Sequence, residues 1–336
     1  MKCENRIKNY GGKNMGMRKI VSLVAAFATG AMMSMNLAPE ACAQAQINTK
    51  KMKIGDFPEK IMKVVLTGNP MIDNVLQDEI SSEWRISPYE FCTLDDFEAN
   101  KTNPDFYFMI LSKSQFKKEA EPGIEFLTVV KGGKDAEKGI DEMLEACTFP
   151  VRAAQMPSGR EFDFLPYIIG AMQGYIQKSM TDDRVGYAGL GKYALGLSGT
   201  AGKKVVFASG DVSPKMPETV REKALAAGIE IVDDDEADEL LGTGDTNCVV
   251  SYTVAPSNPE FGSYCYKMLF GAGDHKLYYF KKQSVGRNGD CGFIASEFNK
   301  LAAKRREAFS EVWRRGNKRL FGHPHGITAD VKHHKE

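Results

Sequence analysis

Histidine is nearly missing from the part of this chain that can fold. Only five occur, and four of them, His323, His325, His333 and His334, crowd into the last fourteen residues. A Ser-His-Asp or Cys-His site would have to use His275, which lies beside Asp274 in what reads as a hairpin turn, where solvation of the turn is the simpler explanation. Cysteine is sparse as well: seven residues with no CxxC spacing are too few for a disulfide scaffold, which leaves small buried apolar residues with at most one or two bridges. Charge of one sign is also lacking, with 44 Lys and Arg against 44 Asp and Glu, so the chain has no global attraction for nucleic acid. The His-Pro-His and His-His pairs over 323–336 read as a disordered polar tail, and no metal or other cofactor is expected.

One long apolar run is present, and it points to export. Arg18 and Lys19 form a basic start, Val21 to Ala38 is almost uncharged, and Ala41-Cys42-Ala43 and Ala43-Gln44-Ala45 both fit a small-x-small cleavage site. Gly30, Ser34 and Asn36 interrupt the run, which favours a signal peptide over a membrane span. Pro39-Glu40-Ala41 lacks the Leu-small-small pattern that would make Cys42 an acylated anchor, so soluble export to the periplasm or to the periplasmic face of an outer membrane is expected. Residues 46 onward can build two cores and a connector.

The remaining sequence says the same thing twice. Lys63-Val64-Val65-Leu66, Thr67-Gly68 and Asn69-Pro70 are matched by Lys204-Val205-Val206-Phe207, Ser209-Gly210-Asp211 and Ser213-Pro214: strand, glycine turn, N-cap and proline at the first helical position. Ile72, Val75, Leu76 and Ile80 then recur at helical spacing, as do Val220, Ala224 and Leu225 before Gly228. Second strands are expected at Trp84-Arg85-Ile86 and Ile229 to Val232, each followed by an acidic helix with a capping signal, Thr93-x-x-Asp96 and Asp233-x-x-Glu236. Third strands fall at Phe106 to Leu111 and Cys248 to Val254. Gly123 to Val130 gives one further strand in the first half; Tyr264 to Phe270 and Leu277 to Lys282 give two in the second, a hairpin across Gly271 to Asp274. Helices near 134–147 and 293–315 close the halves.

The predicted fold is therefore α/β, two related halves with mostly parallel strands and an antiparallel edge hairpin, arising from an internal duplication. The expected divisions are upstream residues and signal peptide over 1–45, a first half over 46–150, a connecting helix and Gly-rich loop over 151–202, a second half over 203–322 and the tail. Phe162 to Met180 is apolar all round and contains Gly170-x-x-x-Gly174, which suits a buried connecting helix that another backbone approaches closely; Gly186 to Gly202, with six glycines, reads as a mobile loop. A hairpin centred near Asn258 would set Cys265 opposite about Ser251, which keeps Cys248 and Cys265 too far apart to bond.

The run through Leu76 and Ile80 to Trp84-x-x-x-Pro88-Tyr89-Glu90, followed by a short acidic helix and a strand, resembles uncharacterised exported proteins of Bacteroidetes-type bacteria. More distantly, residues 60–130 and 203–282 are similar to the α/β domain shared by the TolB amino-terminal domain and curli-secretion-type lipoproteins. The resemblance implies a periplasmic assembly or binding role and assigns no residue to chemistry.

Gly186 to Tyr193 nearly spells a phosphate-binding loop, but Tyr193 stands where a Ser or Thr would hold magnesium and no strand precedes Gly186. The acidic run Asp233 to Glu239 lacks the alternating ligand spacing of a calcium loop and reads as a capped, solvated helix start. Carboxylate pairs for glycosidic chemistry are not singled out. In the last helix, Lys304, Arg305, Arg314 and Arg315 stand on a basic face that could touch anionic lipid headgroups or cell-wall phosphate; a solvated face on a domain-closing helix is the plainer reading. Any ligand or partner is expected at the turns Thr67-Gly68-Asn69 and Ser209-Gly210-Asp211, where helix N-termini follow parallel strands. The functional expectation is a non-enzymatic envelope protein whose partner is another envelope protein or a cell-wall component; the alternatives are an exported hydrolase using carboxylates or His275, and a surface-associated structural subunit.

Overall fold

The structure, a computed structural model, describes residues 54–320 except 117–118 and 288, and for residues 187, 195, 309 and 311–320 the backbone only. The signal-peptide reading over 17–45 and the His-rich tail lie outside the described residues.

In the first half, β1 (Ile61–Val65) leads through Thr67-Gly68 into α1 (Pro70–Glu83), opened by the Asn69 side chain, which accepts from the Met71 N–H, and by Pro70. Ile72, Leu76 and Ile80 are the buried stripe of α1. The second strand is β2 (Tyr89–Cys92), not Trp84-Arg85-Ile86. Trp84 instead leaves the helix as a core plug: it is 2 % exposed, its ring lies 6.1 Å from Phe57, and its indole N–H donates to Ser87 at 3.0 Å. A large side chain at a helix exit was thus buried by the core rather than by a sheet. The Thr93/Asp96 capping box forms at the start of α2 (Leu94–Asn100). Then come β3 (Phe106–Ser114), β4 (Ile124–Lys131) and β5 (Leu144–Ala153).

The predicted helix near 134–147 is replaced by two short 3-10 turns, Lys134–Lys138 and Ile140–Glu142, and by β5. The apolar residues of 140–147 fit helical spacing, but β5 pairs along its length with β4, and ladder pairing with burial outweighs a weak local preference. Pro150 is tolerated because β5 is the edge of its sheet, where a missing N–H costs no ladder bond.

The connecting helix is α3 (Glu161–Thr181), buried as expected. One of its two paired glycines explains the close approach: a Cβ on Gly170 would lie 3.0 Å from the His275 Cβ, whereas Gly174 faces open space. The stretch read as a mobile loop is ordered into α4 (Asp183–Ala188) and a 3-10 segment, Leu190–Thr200. Gly196 is needed there because a Cβ would fall 2.0 Å from the Tyr278 carbonyl oxygen.

The second half repeats the first. β6 (Lys204–Ala208) is followed by α5 (Glu218–Ala226), β7 (Ile229–Val232), α6 (Asp234–Gly242) capped by Asp233, β8 (Cys248–Val254), β9 (Tyr264–Gly271), β10 (Leu277–Ser284) and α7 (Ala295–Leu320). Ser213-Pro214 does not open α5, which begins at Glu218; Ser213 instead donates its N–H to Phe293. The strand orders are β2-β1-β3-β4-β5 and β7-β6-β8-β9-β10, with the same two parallel and two antiparallel pairings in each. The fold is thus α/β in two like halves. Cys248 and Cys265 are free, but the register differs from expectation: Ser251 faces Leu269, because the chain turns at Glu260–Ser263, with Gly262 at φ 95°.

Both faces of both sheets are buried, which is why the strands read as near-continuous apolar runs. Met62, Val64, Tyr107 and Met109 look inward, as do Val206, Val250, Tyr266 and Met268, and all belong to one core shared by the halves. Val65, Phe108 and Ile110 face α2, whereas Val205, Phe207 and Leu269 meet Phe298 and Leu301 of α7. Phe126 meets Tyr266 edge-on at 5.4 Å, Phe149 meets Phe280 at 6.0 Å, and Phe164 of α3 stacks on Tyr252 at 4.1 Å and 6°.

Since one core serves both halves, we expect chemical denaturation of the full chain to show one cooperative transition. Phe164→Ala should lower its free energy as a whole by about 3–5 kcal/mol. Two separated transitions, with the variant affecting only one, would contradict a common core.

Candidate functional site

The carboxyl ends of β1, β3, β6 and β8 lie at the edge where loops 115–123, 154–160, 255–263 and 285–294 emerge. The edges of the two sheets meet there: a Cβ on Gly123 would lie 2.8 Å from the Pro256 ring, and the Met156 N–H donates to Ser257 Oγ at 3.0 Å. Gln155 also donates to the Pro122 carbonyl.

Two buried charge networks flank the first turn of α3. Arg160, preceding the helix, donates from Nε to both Asp238 oxygens at 2.8 and 3.0 Å, from Nη2 to Asp238 at 2.7 Å, and from Nη1 to Asp211 at 3.3 Å. Asp211 also accepts from the Ser251 hydroxyl at 2.6 Å and the Thr253 N–H at 2.8 Å. The guanidinium lies 5.2 Å from the Phe164 ring centre and 5.7 Å from that of Tyr252. Burial pushes the Asp211 carboxyl above the usual carboxylate range, and the charge of Arg160 and the donors of Ser251 and Thr253 pull it only partly back. For Arg160, burial would lower the pKa, but the bonds to Asp238 and the charge of Asp211 outweigh it and raise it.

The second network is built on the next residue. Glu161 accepts from Arg152 Nη1 at 3.3 Å and from the Gly159 N–H at 2.8 Å, and Arg152 Nε donates to Glu125 at 2.5 Å. Arg152 and Glu161 stand at one side of a narrow cleft whose other walls are Ile72 and Leu76 of α1, Leu111, Leu127, Val151, Phe162 and Leu165. The cleft is thus a narrow apolar crevice with room for little more than a water molecule. Every donor aimed into Asp211 and Asp238 belongs to a satisfied bond, so the Arg160 cluster acts as a clamp that fixes α3, α6 and the turn after β6.

The sequence-predicted turns sit at this edge, with their amides already occupied from within. Thr67 donates from N and Oγ1 to Asp73 at 2.7 Å each, and the Gly68 N–H donates to the same carboxylate at 2.9 Å. Asn69 is spent on capping α1. In the second half the Gly210 N–H donates to Asp234 at 2.8 Å and Ser209 Oγ to it at 3.3 Å, while Asp211 turns inward to the clamp. A helix carboxylate in each half therefore stands where an external anion was expected.

Other candidates separate. His275, at φ 49° in the β9–β10 turn, packs on Tyr167 with ring centres 4.4 Å apart. Arg305 does not face outward: it donates to the carbonyls of Ala227, Thr200, Lys203 and Gly228 and so ties α7 to the end of α5. Lys304 pairs with Glu307 at 3.0 Å, and the side chains of Arg314 and Arg315 lie outside the described residues. Lys192 lies over the rings of Tyr175 and Tyr193, and no strand precedes Gly186, so the phosphate-loop pattern has no phosphate-loop setting. The acidic run is capped by Asp233 as expected, but Asp234 and Asp238 point into the fold rather than into solvent. Among the described residues no group of three or more His, Cys, Asp or Glu could hold a metal ion. Sequence reasoning missed Arg152, Arg160, Glu161 and Asp238; the available signal was Arg160-Glu161 at the head of an otherwise apolar helix.

Comparison with family models, curated proteins and solved structures gives no match.

Arg160→Met strips the buried Asp211 of its counter-charge. We expect a loss of about 3–5 kcal/mol at pH 7.5 by urea denaturation, and a smaller loss as the pH is lowered, since the raised Asp211 carboxyl takes up a proton earlier than a free carboxylate and sheds the uncompensated charge. An equal loss at the lower pH would contradict the clamp.

Glu145, at the start of β5, is half-buried, with its carboxyl among Cys147, Tyr175 and Tyr266; burial raises it to about 7, and the Thr148 hydroxyl pulls it partly back. A folded pKa above the unfolded one favours folding below the unfolded value, and that contribution is lost as pH rises through about 7. Glu145→Gln should therefore be more stable than the parent at pH 8.5 by roughly 1–3 kcal/mol, with the difference shrinking toward pH 4.5. A difference independent of pH would contradict a titrating Glu145.

Proposed function

We propose that this chain is a non-enzymatic exported envelope protein, a periplasmic binding or assembly module that meets its partner at the carboxyl-end edge shared by the two sheets. One observation carries the reading. Met71, Met156 and Phe261 are 63 %, 65 % and 55 % exposed, and all three stand on loops or helix starts at this edge. The fourth large exposed hydrophobic among the described residues, Leu225, lies on α5. Apolar side chains held at one rim beside an apolar cleft suit a protein partner or a cell-wall component better than a solvated loop set.

The edge is well held, which favours recognition by a preformed surface. Asp73 and Asp234 stiffen the two turns, and the Arg160 clamp holds the loop after β6. The turns Thr67-Gly68-Asn69 and Ser209-Gly210-Asp211 contribute shape to this surface, since their amides serve their own helices. Export rests on the basic start, apolar run and small-x-small ends near residue 45.

Glycine replacements are poor probes of the edge. Gly68 is at φ 79°, and a Cβ on Gly210 would lie 2.6 Å from the Asp234 carboxylate, so both would strain the fold. Photo-crosslinkers placed at Met156 and Phe261 in cells are the better test. We expect them to capture an envelope protein or peptidoglycan fragment in the periplasmic or outer-membrane fraction, and a crosslinker at Leu225 to capture none. The Met156→Asp/Phe261→Asp double variant should cut co-fractionation with that partner at least ~10-fold while leaving the melting temperature nearly unchanged. Equal capture from Leu225, or recovery of the chain in the cytosol alone, would overturn the proposal.

A further inference from the structure

Cys265 and Cys291 are 26 positions apart in sequence and close enough in space for each to act on the ionisation of the other, and the neighbouring Phe293 ring lies 5.7 Å from Lys267 Nζ on the same face of β9. Cys265 lies on the face of β9 that carries Lys267 and Leu269, opposite to Tyr266 and Met268, and is fully buried. Cys291 is half-buried in the segment between β10 and α7, so this end of the pair lies nearer to solvent than Cys265. The Gly292 amide and the Lys267 ammonium both act on Cys265 from this side.

That surrounding sets this pair apart from the other described cysteines. Cys291 draws Cys265 below the usual thiol range against the opposing effect of burial, with Lys267 and the Gly292 amide adding to it, while the second proton is held more tightly on Cys291. Burial pushes Cys92 up to about 11 and raises Cys147 and Cys248 as well. A thiolate is the nucleophile of disulfide exchange, so only one described pair combines proximity, ionisation and access.

We infer that Cys265 and Cys291 are a redox-active dithiol that closes to a disulfide by exchange with a small-molecule or protein disulfide, pinning the segment 290–293 to β9. The half-exposed Cys291 attacks the incoming disulfide, its proton passing to the Cys265 thiolate; a mixed disulfide forms on Cys291 and one thiolate leaves. Cys265 then gives up its proton and attacks Cys291 sulfur, expelling the second thiolate. Two protein thiols lose two protons and two electrons, and one external disulfide becomes two thiols.

The pinned segment is the strap over the Asp211 turn. The Phe293 N–H donates to the Asp211 carbonyl at 2.7 Å, the Ser213 N–H returns to the Phe293 carbonyl at 2.9 Å, and Lys215 pairs with Asp290 at 2.9 Å. At Gly292, φ 93°, a Cβ would lie 2.6 Å from the Asp211 carbonyl oxygen, so backbone passes directly over the turn. The crosslink thereby ties the backbone of the clamp's own Asp211 to the sheet behind it. This inference concerns the thiol pair alone and stands or falls apart from any partner at the edge.

The test holds the purified full-length chain in glutathione buffers of graded oxidation, then acid-quenches, alkylates, digests and maps cysteines by mass spectrometry. The expected result is a peptide crosslinked between Cys265 and Cys291 as the buffer becomes oxidising, with Cys92, Cys147 and Cys248 alkylated only after unfolding. Oxidation should raise the melting temperature by about 5 °C or more, since the bond closes a loop of roughly 25 residues, and Cys291→Ser should abolish that rise. Absence of the crosslinked peptide in fully oxidised buffer, a stable glutathione adduct on Cys291 in its place, or crosslinks to other cysteines would overturn the inference.

Discussion

Burial of both faces of both sheets is the constraint on which the rest depends. A five-stranded sheet with one solvated face could stand alone, but here the inner face of each sheet is covered by the other and by α3. Phe164 is central to this arrangement, stacked on Tyr252 of the second sheet and close to Phe270, while its own helix packs on β5 of the first. The Tyr252 hydroxyl reaches across to the Val151 carbonyl at 2.6 Å, so the polar end of that ring is satisfied by the opposite half.

That packing forces charge inward at one end. Where the helix between the halves begins, the ends of several strands converge, and Arg160 and Glu161 at its head pair there with buried carboxylates and with Arg152. Arg160 suits the position because its planar fork can satisfy Asp238 with two parallel donors and reach Asp211 with a third, which an ammonium could not do. Desolvation makes such a network a poor source of net stability and a strong source of geometric definition, since any alternative arrangement leaves a buried charge alone. The same end of the molecule carries the exposed Met71, Met156 and Phe261, so the rigid part and the sticky part coincide.

A second feature of that end is its thin covering. The strap around Cys291 to Phe293 reaches the Asp211 turn through two backbone bonds, with the Phe293 ring packed 4.8 Å from Phe207 and the Lys215–Asp290 pair beside them. A covalent tie between Cys265 and Cys291 would convert these bonds into a fixed brace, and its effect would fall on the loops between the clamp and solvent rather than on the common core.

Much of this was legible in the sequence where a signal is local. The capping box at Thr93, the proline start at Asn69-Pro70, the glycine hairpin before Leu277 and the repeated order of strands and helices all depend on residues within a few positions of one another, and the structure has them. The signal failed where apolar residues had more than one place to go. Trp84 fits a strand by its sequence and is a core plug; 140–147 fits a helix and lies partly in an edge strand; Gly186 to Gly202 reads as a mobile loop and packs against Tyr278. The candidate site was least legible of all. Arg160, Asp211, Asp238 and Ser251 are separated by 13 to 91 positions, and so are the thiols of Cys265 and Cys291 by 26. By itself the sequence determined the α/β class, the repetition and the turns at the strand ends, because periodicity and backbone preference act over short range. Only the tertiary structure decided which carboxylates meet arginine, which amides are already taken and which cysteines touch, because those pairings follow from how two sheets pack on one helix.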